Sequence, residues 1–394
     1  MVAPYPLTMP SLYDLSRQAL GDLLDDQPRY RVDQVWQGLY ARGVEVAELT
    51  DVPKAVRTRL TDAAPTALEA LAESVSHDGE TVKWLWGIAD RPGATTRSEG
   101  LAVETVLMHY DDRTTVCVST QAGCAMGCGF CATGQAGFAR HLTTGEIVEQ
   151  VVRARQRASG RQPPRRVSNV VFMGMGEPLA NYDRTWAAIE RLHGDVGISA
   201  RHLTLSTVGI VPGIRRLAGE DLPVNLAVSL HAANDELRER LVPIDERYPL
   251  AVLAEACADY LEAKGRRLSF EWALIDGVND RPTDIRELAA FARPLRAHVN
   301  LIPLNPTPGF PVRGSAPERV RSFRDGLRAH GVNATVRRNR GTDIDAACGQ
   351  LRALHAPATG GRSTRIELRP ATRMPPVRPD LSSVAARRGR DGRP

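Results

Sequence analysis

No stretch of this 394-residue chain approaches the ~18–20 consecutive apolar residues of a membrane-spanning helix, which excludes a helical membrane protein. The N-terminus, MVAPYPLTMPSLYDLSRQ, lacks a basic segment followed by an apolar one, so it does not read as a secretory signal. Cysteine is scarce, at six residues, and in the cytoplasmic setting expected here thiols serve metals or catalysis more often than structural disulfides. There is no internal repeat beyond an alternation of strands and helices. What remains suffices for a folded protein: 42% hydrophobic and 25% charged residues exclude disorder of the whole chain. The length suggests about two or three domains.

The net charge of +5 and a pI near 9.0 hint at nucleic acid, but the surplus is unevenly placed. Residues 1–95 hold 9 basic and 14 acidic side chains, residues 96–356 hold 33 and 29, and residues 357–394 hold 9 and 3. The last 38 residues alone, at +6, exceed the whole surplus. They are rich in Pro, Gly, Ser and Arg and too poor in apolar residues to support a core. They read as a disordered basic tail, either merely solvated or in loose electrostatic contact with RNA. Most basic residues are Arg, which suits bidentate phosphate contacts, although an Arg- and Ala-rich composition produces the same bias.

Apolar residues at three-to-four spacing predict helices over 12–24, 31–43 and 53–64, a small N-terminal module spanning 1–95. Strand-like runs follow at 81–89 and 101–110. From there short β-rich runs recur at 114–120, 167–174, 201–209, 224–231, 267–275 and 298–305. Several of the stretches between them are helical, as at 144–158, 250–265 and 284–295, and a helix over 318–330 and a strand over 333–339 close the series. Six alternations over 96–340 predict parallel βα units, as an open doubly wound sheet or a full or partial barrel.

The strongest local signal is Gly123-Cys124-Ala125-Met126-Gly127-Cys128-Gly129-Phe130-Cys131, directly after the first strand of the series. Three thiolates on a glycine-rich loop can cap a metal centre but cannot close a tetrahedron. A structural zinc site calls for a fourth Cys or His at companion spacing, and an ordinary four-iron cluster for a fourth thiolate. The missing ligand leaves one iron open to an exchangeable group.

This C-x3-C-x2-C loop, with an aromatic before the last cysteine, resembles the signature of the radical S-adenosylmethionine (SAM) enzymes. The resemblance implies a 4Fe–4S cluster held by Cys124, Cys128 and Cys131, with SAM on the open iron. It also implies a partial (βα)6 TIM-like barrel, whose chemistry sits at the C-terminal strand ends. Read in order, those ends present Gly176 and Glu177, then Ser206, then Ser229, Leu230 and His231, and finally Asn305. Gly176-Glu177 resembles the element that meets the SAM ammonium, and the others match positions that hold its ribose, carboxylate and adenine.

Longer matches narrow the resemblance to the RlmN/Cfr family of RNA adenine methyltransferases. They lie at 103–108, 111–119, 123–134, 172–179 and 340–351, with Arg31 to Trp36 fitting in the N-terminal module. The resemblance runs from about Leu12 to Leu351, leaving the tail uncovered, and Thr120 stands where the family more often has Ser. It implies that Cys348, in a C-terminal segment spanning 341–356, takes a methyl group from one SAM. A second SAM then supplies a radical that activates this methyl group for addition to the adenine, tethering RNA to protein. Cys117 resolves the adduct through a transient disulfide with Cys348, and Glu104 is the proton acceptor. Without the family, Cys117 in an apolar strand would read as a small buried hydrophobe and Glu104 as a solvated face residue. Cys257, in an apolar helix, reads as a core residue.

The resemblance implies methylation at carbon 2 of an adenosine in 23S ribosomal RNA and, by family, in tRNA next to the anticodon. It further implies two SAM per turnover, an electron donor such as flavodoxin, and a monomer. Gly-Glu-Pro-Leu at 176–179 looks more like the carbon-2 branch than its carbon-8 sister. A non-catalytic RNA-binding protein with a zinc or iron–sulfur centre is the reading from another class. The N-terminal module is expected to grip RNA by shape and phosphate contacts, which its net −5 opposes.

Overall fold

A computed structural model describes residues 11–88, 100–305, 307, 310, 312–337, 340–347 and 349–351. Three helices open the chain, α1 Arg17–Leu23, α2 Tyr30–Gln37 and α3 Lys54–Ala63. A hairpin of β1 Leu68–Val75 and β2 Thr81–Ile88 leads to β3 Ala102–His109 and β4 Thr114–Cys117. A second hairpin follows, β5 Gln121–Gly123 and β6 Phe138–His141, with α4 Ala132–Ala136 between its strands. Strands and helices then alternate: α5 Thr144–Ser159, β7 Asn169–Phe172, α6 Tyr182–Gly194, β8 Leu203–Thr207, α7 Val211–Ala218 and β9 Asn225–Ser229. The chain continues through α8 Asp235–Leu241, α9 Leu250–Lys264, β10 Leu268–Leu274, α10 Pro282–Ala292, β11 His298–Pro303, α11 Pro317–Ala329 and β12 Ala334–Val336.

Ten strands form one sheet in the order β1-β2-β3-β4-β7-β8-β9-β10-β11-β12. From β4 to β12 every neighbour is parallel, while β1 to β4 pair antiparallel. This is the partial βα barrel that the resemblance implied and one of the arrangements the alternation allowed, with an antiparallel extension at one edge. β10 is buried along its whole length, as a strand covered on both faces should be. α5 starts at a capping box in which Thr143 and Glu146 exchange side-chain and backbone hydrogen bonds. Cys257 lies wholly buried in α9, the core residue expected.

The N-terminal helices pack against the outside of the barrel. Asp14 accepts from the backbone N–H of Gly145 at 2.6 Å, at the start of α5. The indole of Trp36 donates to Asp195 at 2.9 Å, and Arg191 reaches the carbonyl of Tyr13. The acidic surplus of residues 1–95 is partly spent here: Glu45, Glu73 and Glu80 pair with Arg153, Arg157 and Arg161 at 2.6, 3.1 and 2.5 Å. The basic side of α5 and its following turn is thus a partner of the N-terminal region. Against the mostly helical expectation, residues 68–75 form β1, which extends the main sheet. No helix among the described residues is long and apolar enough to cross a membrane.

Candidate active site

A cavity opens at the C-terminal strand ends, and the three cysteines of the glycine-rich loop line it together. The loop is shaped by its backbone. Gly123 has φ +75°, and a Cβ there would sit 1.9 Å from the carbonyl oxygen of Gly137. That carbonyl accepts from the N–H of Cys124 at 2.8 Å, and the carbonyl of Cys128 accepts from Cys131 at 3.1 Å. Cys128 is buried and the other two are partly so. Burial pushes the Cys124 thiol up to about 12 and the Cys128 thiol well above its ordinary range. Buried thiols of this kind become thiolates when a bound metal supplies the compensating charge. Among the described residues, no three His, Cys, Asp or Glu side chains converge on a single ion. Three thiols lining one cavity are a donor set that would suit an iron–sulfur cluster with one open position.

Opposite the loop, Gly176 has φ +100°, where a Cβ would lie 2.5 Å from that of Gln121. The Glu177 N–H donates to the Gln121 side chain at 2.8 Å. Its carboxylate accepts from the N–H groups of Leu179 and Val208 at 2.9 and 2.8 Å, tying the loop after β7 to the end of β8. Burial pushes Glu177 up to about 7, against those two hydrogen bonds and a third with the Thr207 side chain. Three of its roughly four lone-pair positions are thus used, which leaves one for an ammonium donor.

Ser206, Ser229, His231 and Asn305 also line the cavity, whereas the Leu230 side chain is buried in the core. His231 adopts a left-handed backbone, φ +58°, and its Nδ1 accepts from the N–H of Ala273 at 3.0 Å. The proton of the neutral ring therefore sits on Nε2. Burial, reinforced by Arg238, lowers its pKa to about 3, so the ring stays neutral at physiological pH. The wholly buried Arg238 donates to the carbonyls of Leu230 and Val208 at 3.2 and 2.6 Å and pairs with Asp245. It holds the ends of β8 and β9 in place.

Glu104 and Cys117 are buried at 3% and 8% exposure but do not line this cavity. Pairing of Val106 with Cys117 places Glu104 two residues along, on the same sheet face as Cys117. Cys348 lies outside the described residues, as does the tail from 357 onward. Its neighbours Gly349 and Leu351 line the cavity, and their carbonyls accept from Ala132 N–H and the Thr133 hydroxyl at 2.9 and 2.6 Å.

Sequence reasoning missed Gln121, Arg238 and the lumen-facing Glu271. The last had a signal: one carboxylate inside the apolar run Phe270-Glu271-Trp272. It is 4% exposed, accepts from Asn300 at 2.8 Å and lines the cavity.

One expected result follows from Glu177. Its folded-state pKa lies above the unfolded value, so its ionisation disfavours the fold. The stability it contributes is full below about pH 4.5 and is lost as pH rises to about 7. Without SAM and cluster, the wild-type chain should lose about 2 kcal/mol relative to Glu177→Gln between pH 5 and 8. Urea denaturation of both proteins at several pH values measures this, and parallel profiles would contradict it.

The Radical SAM superfamily model matches residues 118–291. A probable dual-specificity RNA methyltransferase RlmN from Chloroflexus aurantiacus is 48% identical over 366 residues, covering 89% of this chain and 95% of that protein. The dual-specificity RNA methyltransferase RlmN 1 of Myxococcus xanthus is 49% identical over 355 residues, covering 88% and 95%. A radical SAM methyltransferase from Sphaerobacter thermophilus superposes with a TM-score of 0.81 at 49% identity, covering 87% of this chain and 99% of that one. With the cysteine loop at the mouth of the barrel, these likenesses mean that the chain belongs to the RlmN family of dual-specificity RNA methyltransferases within the radical SAM superfamily.

Proposed function

We propose that this chain methylates carbon 2 of an adenosine in 23S ribosomal RNA, and of an adenosine next to the anticodon in tRNA, using two SAM molecules per turnover. The superfamily's cofactors, SAM and a 4Fe–4S cluster, are those of this family member. The observation that carries the reading is the convergence on one cavity of the cysteine loop, Glu177, Ser206, Ser229, His231 and Asn305. RNA is the substrate class in the names of its relatives.

Cys124, Cys128 and Cys131 would hold the cluster, leaving one iron for SAM. When bound, the pair supplies a radical able to remove a hydrogen from an unactivated methyl group. Gly176, with its open backbone, and Glu177 would receive the SAM ammonium. Ser206, the Ser229–His231 turn and Asn305 would hold its ribose, carboxylate and adenine. The Nε2–H of neutral His231 is a donor, and its ring meets Phe130 edge-on at 4.7 Å, which keeps it turned toward the cavity.

Carbon 2 of adenine is electron-poor and cannot itself displace a methyl group from SAM. A carrier is therefore needed, and Cys348 serves as one, its sulfur accepting the methyl group and presenting it to the base. With one hydrogen atom of that methyl group lost to the SAM-derived radical, its carbon would bond to carbon 2, the cluster being able to take back the electron left over, so that a sulfur–methylene–carbon bridge links Cys348 to the RNA. Removal of the ring proton by Glu104 and attack of Cys117 sulfur on Cys348 sulfur would then break the Cys348 sulfur–carbon bond; the released carbon takes up a proton to become the methyl group of the RNA, and a Cys117–Cys348 disulfide is left. The electron donor is a protein such as flavodoxin, and the enzyme acts as a monomer.

Mass spectrometry of digested RNA from cells lacking this protein tests the assignment. The expected result is loss of 2-methyladenosine from 23S RNA and from tRNA. Intact 2-methyladenosine with missing 8-methyladenosine would assign the chain to carbon 8 instead.

A further inference from the structure

Residues 340–347 and 349–351, on either side of Cys348, contact two separate parts of the fold. The far end is held by the cysteine loop through the contacts of Gly349 and Leu351 with Ala132 and Thr133. The near end rests on the β1–β2 hairpin. There Asp343 accepts from the backbone N–H of His77 at 2.8 Å and meets its ring Nδ1 at 2.7 Å. Arg340 lies 3.7 Å from Asp78 in the same turn and over the Tyr110 ring at 4.9 Å. Gly341 packs on Thr81, leaving no room for a side chain: a Cβ there would come 2.9 Å from the Thr81 methyl group.

Lys83 sits in the middle of that hairpin, with a side chain only 14% exposed. Its ammonium is 3.0 Å from a carboxylate oxygen of Glu104 and donates to the backbone carbonyl of Asp345 at 3.2 Å. The pairing explains the first contact. Lys83 is opposite Val106, Leu85 opposite Glu104, and Val106 opposite Cys117. Lys83, Glu104 and Cys117 therefore share one face of the sheet, with Lys83 diagonal to Glu104 and within reach of a long side chain. A lysine has three donors on one charged nitrogen, so a single residue can serve a carboxylate and a carbonyl together. Nearly buried charge of this kind is costly unless paired, so its placement needs a reason.

We propose that Lys83 is a positioning residue, which fixes the segment bearing Cys348 against Glu104 so that methyl carrier and proton acceptor keep one geometry. The inference rests on the roles given above to Cys348 and Glu104. Lys83 acts through both and does not line the cavity. The β1–β2 hairpin, an addition to the barrel's edge, is then the platform for the C-terminal segment.

The test uses the full chain, reconstituted anaerobically and supplied with deproteinised 23S RNA from cells lacking the protein. Lys83→Met should lower kcat roughly ten- to hundred-fold, the size of lost charge-assisted hydrogen bonds, with KM for RNA and SAM within about twofold of wild type. Lys83→Arg, which restores the charge and several donors, should recover most of that loss. Amide hydrogen exchange supplies a readout independent of turnover. In Lys83→Met, exchange should rise in peptides covering 340–347 and stay unchanged in α5 and α9. His77→Ala, at an exposed site that leaves folding intact, should raise exchange in the same peptides. An unchanged kcat in Lys83→Met, unaltered exchange over 340–347, or a raised KM for RNA with kcat intact would each overturn the proposal. Turnover by Cys348→Ala or Glu104→Gln would instead overturn the assignments beneath it, and the two failures are told apart by which variant stays active.

Discussion

Alanine in place of Cys124, Cys128 or Cys131 is expected to give a colourless protein that binds no intact cluster and has no detectable methylation. The reason is arithmetic as much as geometry. Three thiols on one loop are the whole cysteine set at the cavity among the described residues, so each removal takes away one third of the anchorage. The fold should survive, because the loop is shaped by backbone contacts independent of any metal: Gly123 against Gly137, the Cys124 N–H on Gly137, and Cys131 on Cys128. The thermal midpoint of the chain lacking its cluster should thus remain within a few degrees of wild type. Cys257→Ala serves as the contrast. It removes a more deeply buried thiol from α9, and should retain the iron and the activity while costing about 1 kcal/mol of stability from the small void it leaves. Anaerobic purification, visible absorption and iron analysis decide the matter. A colourless wild-type protein with bound zinc and no iron would end the radical SAM reading of this site.

The second large effect concerns Cys348 and Cys117, whose alanine variants should fail in opposite ways. Cys348→Ala lacks the carrier, so it should form neither methylcysteine nor any covalent link to RNA. Cys117→Ala retains the carrier but lacks the group that resolves the adduct, so protein joined to RNA should accumulate to a large fraction of the enzyme. Burial of Cys117 at the end of β4, on the sheet face of Glu104, favours this division. A thiol so placed is shielded from solvent and from adventitious oxidation until its partner arrives. Denaturing gels before and after ribonuclease treatment, with mass spectrometry of the Cys348 peptide, separate the cases. A Cys117→Ala protein that turns over freely, or that never forms an adduct, would remove Cys117 from the scheme.

The parts of the fold that were legible in the sequence are those whose cause is local. The alternation of β-rich runs with helices gave away the parallel series from 114 onward, because strands buried on both faces are short and apolar. The strand ends followed from it, and with them the places of Ser206, Ser229 and Asn305 around one cavity. β1 escaped notice for an equally physical reason. Its sequence, LEALAESV, lies at the sheet edge with most side chains exposed, and a bulge between Ala70 and Ala72 interrupts its register. No alternation survives such an arrangement. Leu230, grouped in the sequence with its cavity-lining neighbours, turns its side chain into the core, while the lumen-facing Glu271 sits in the middle of a strand.

The charge of the N-terminal region shows the same limit. Its net −5 seemed to oppose contact with RNA. Tertiary structure sets Glu45, Glu73 and Glu80 against arginines of α5 and the turn after it, so that part of the deficit is internal. What the sequence by itself determined is the chemistry: three thiols at C-x3-C-x2-C spacing with no fourth, on a loop whose glycines permit it, after the first of six strands. Such a motif is a matter of nearest neighbours along the chain. What only the tertiary structure decided is assembly across long separations. Arg238 binds the ends of two strands, and Lys83 reaches Asp345 across 262 positions to place the C-terminal segment beside Glu104. Those contacts follow from strand register and close packing, which the order of residues does not display.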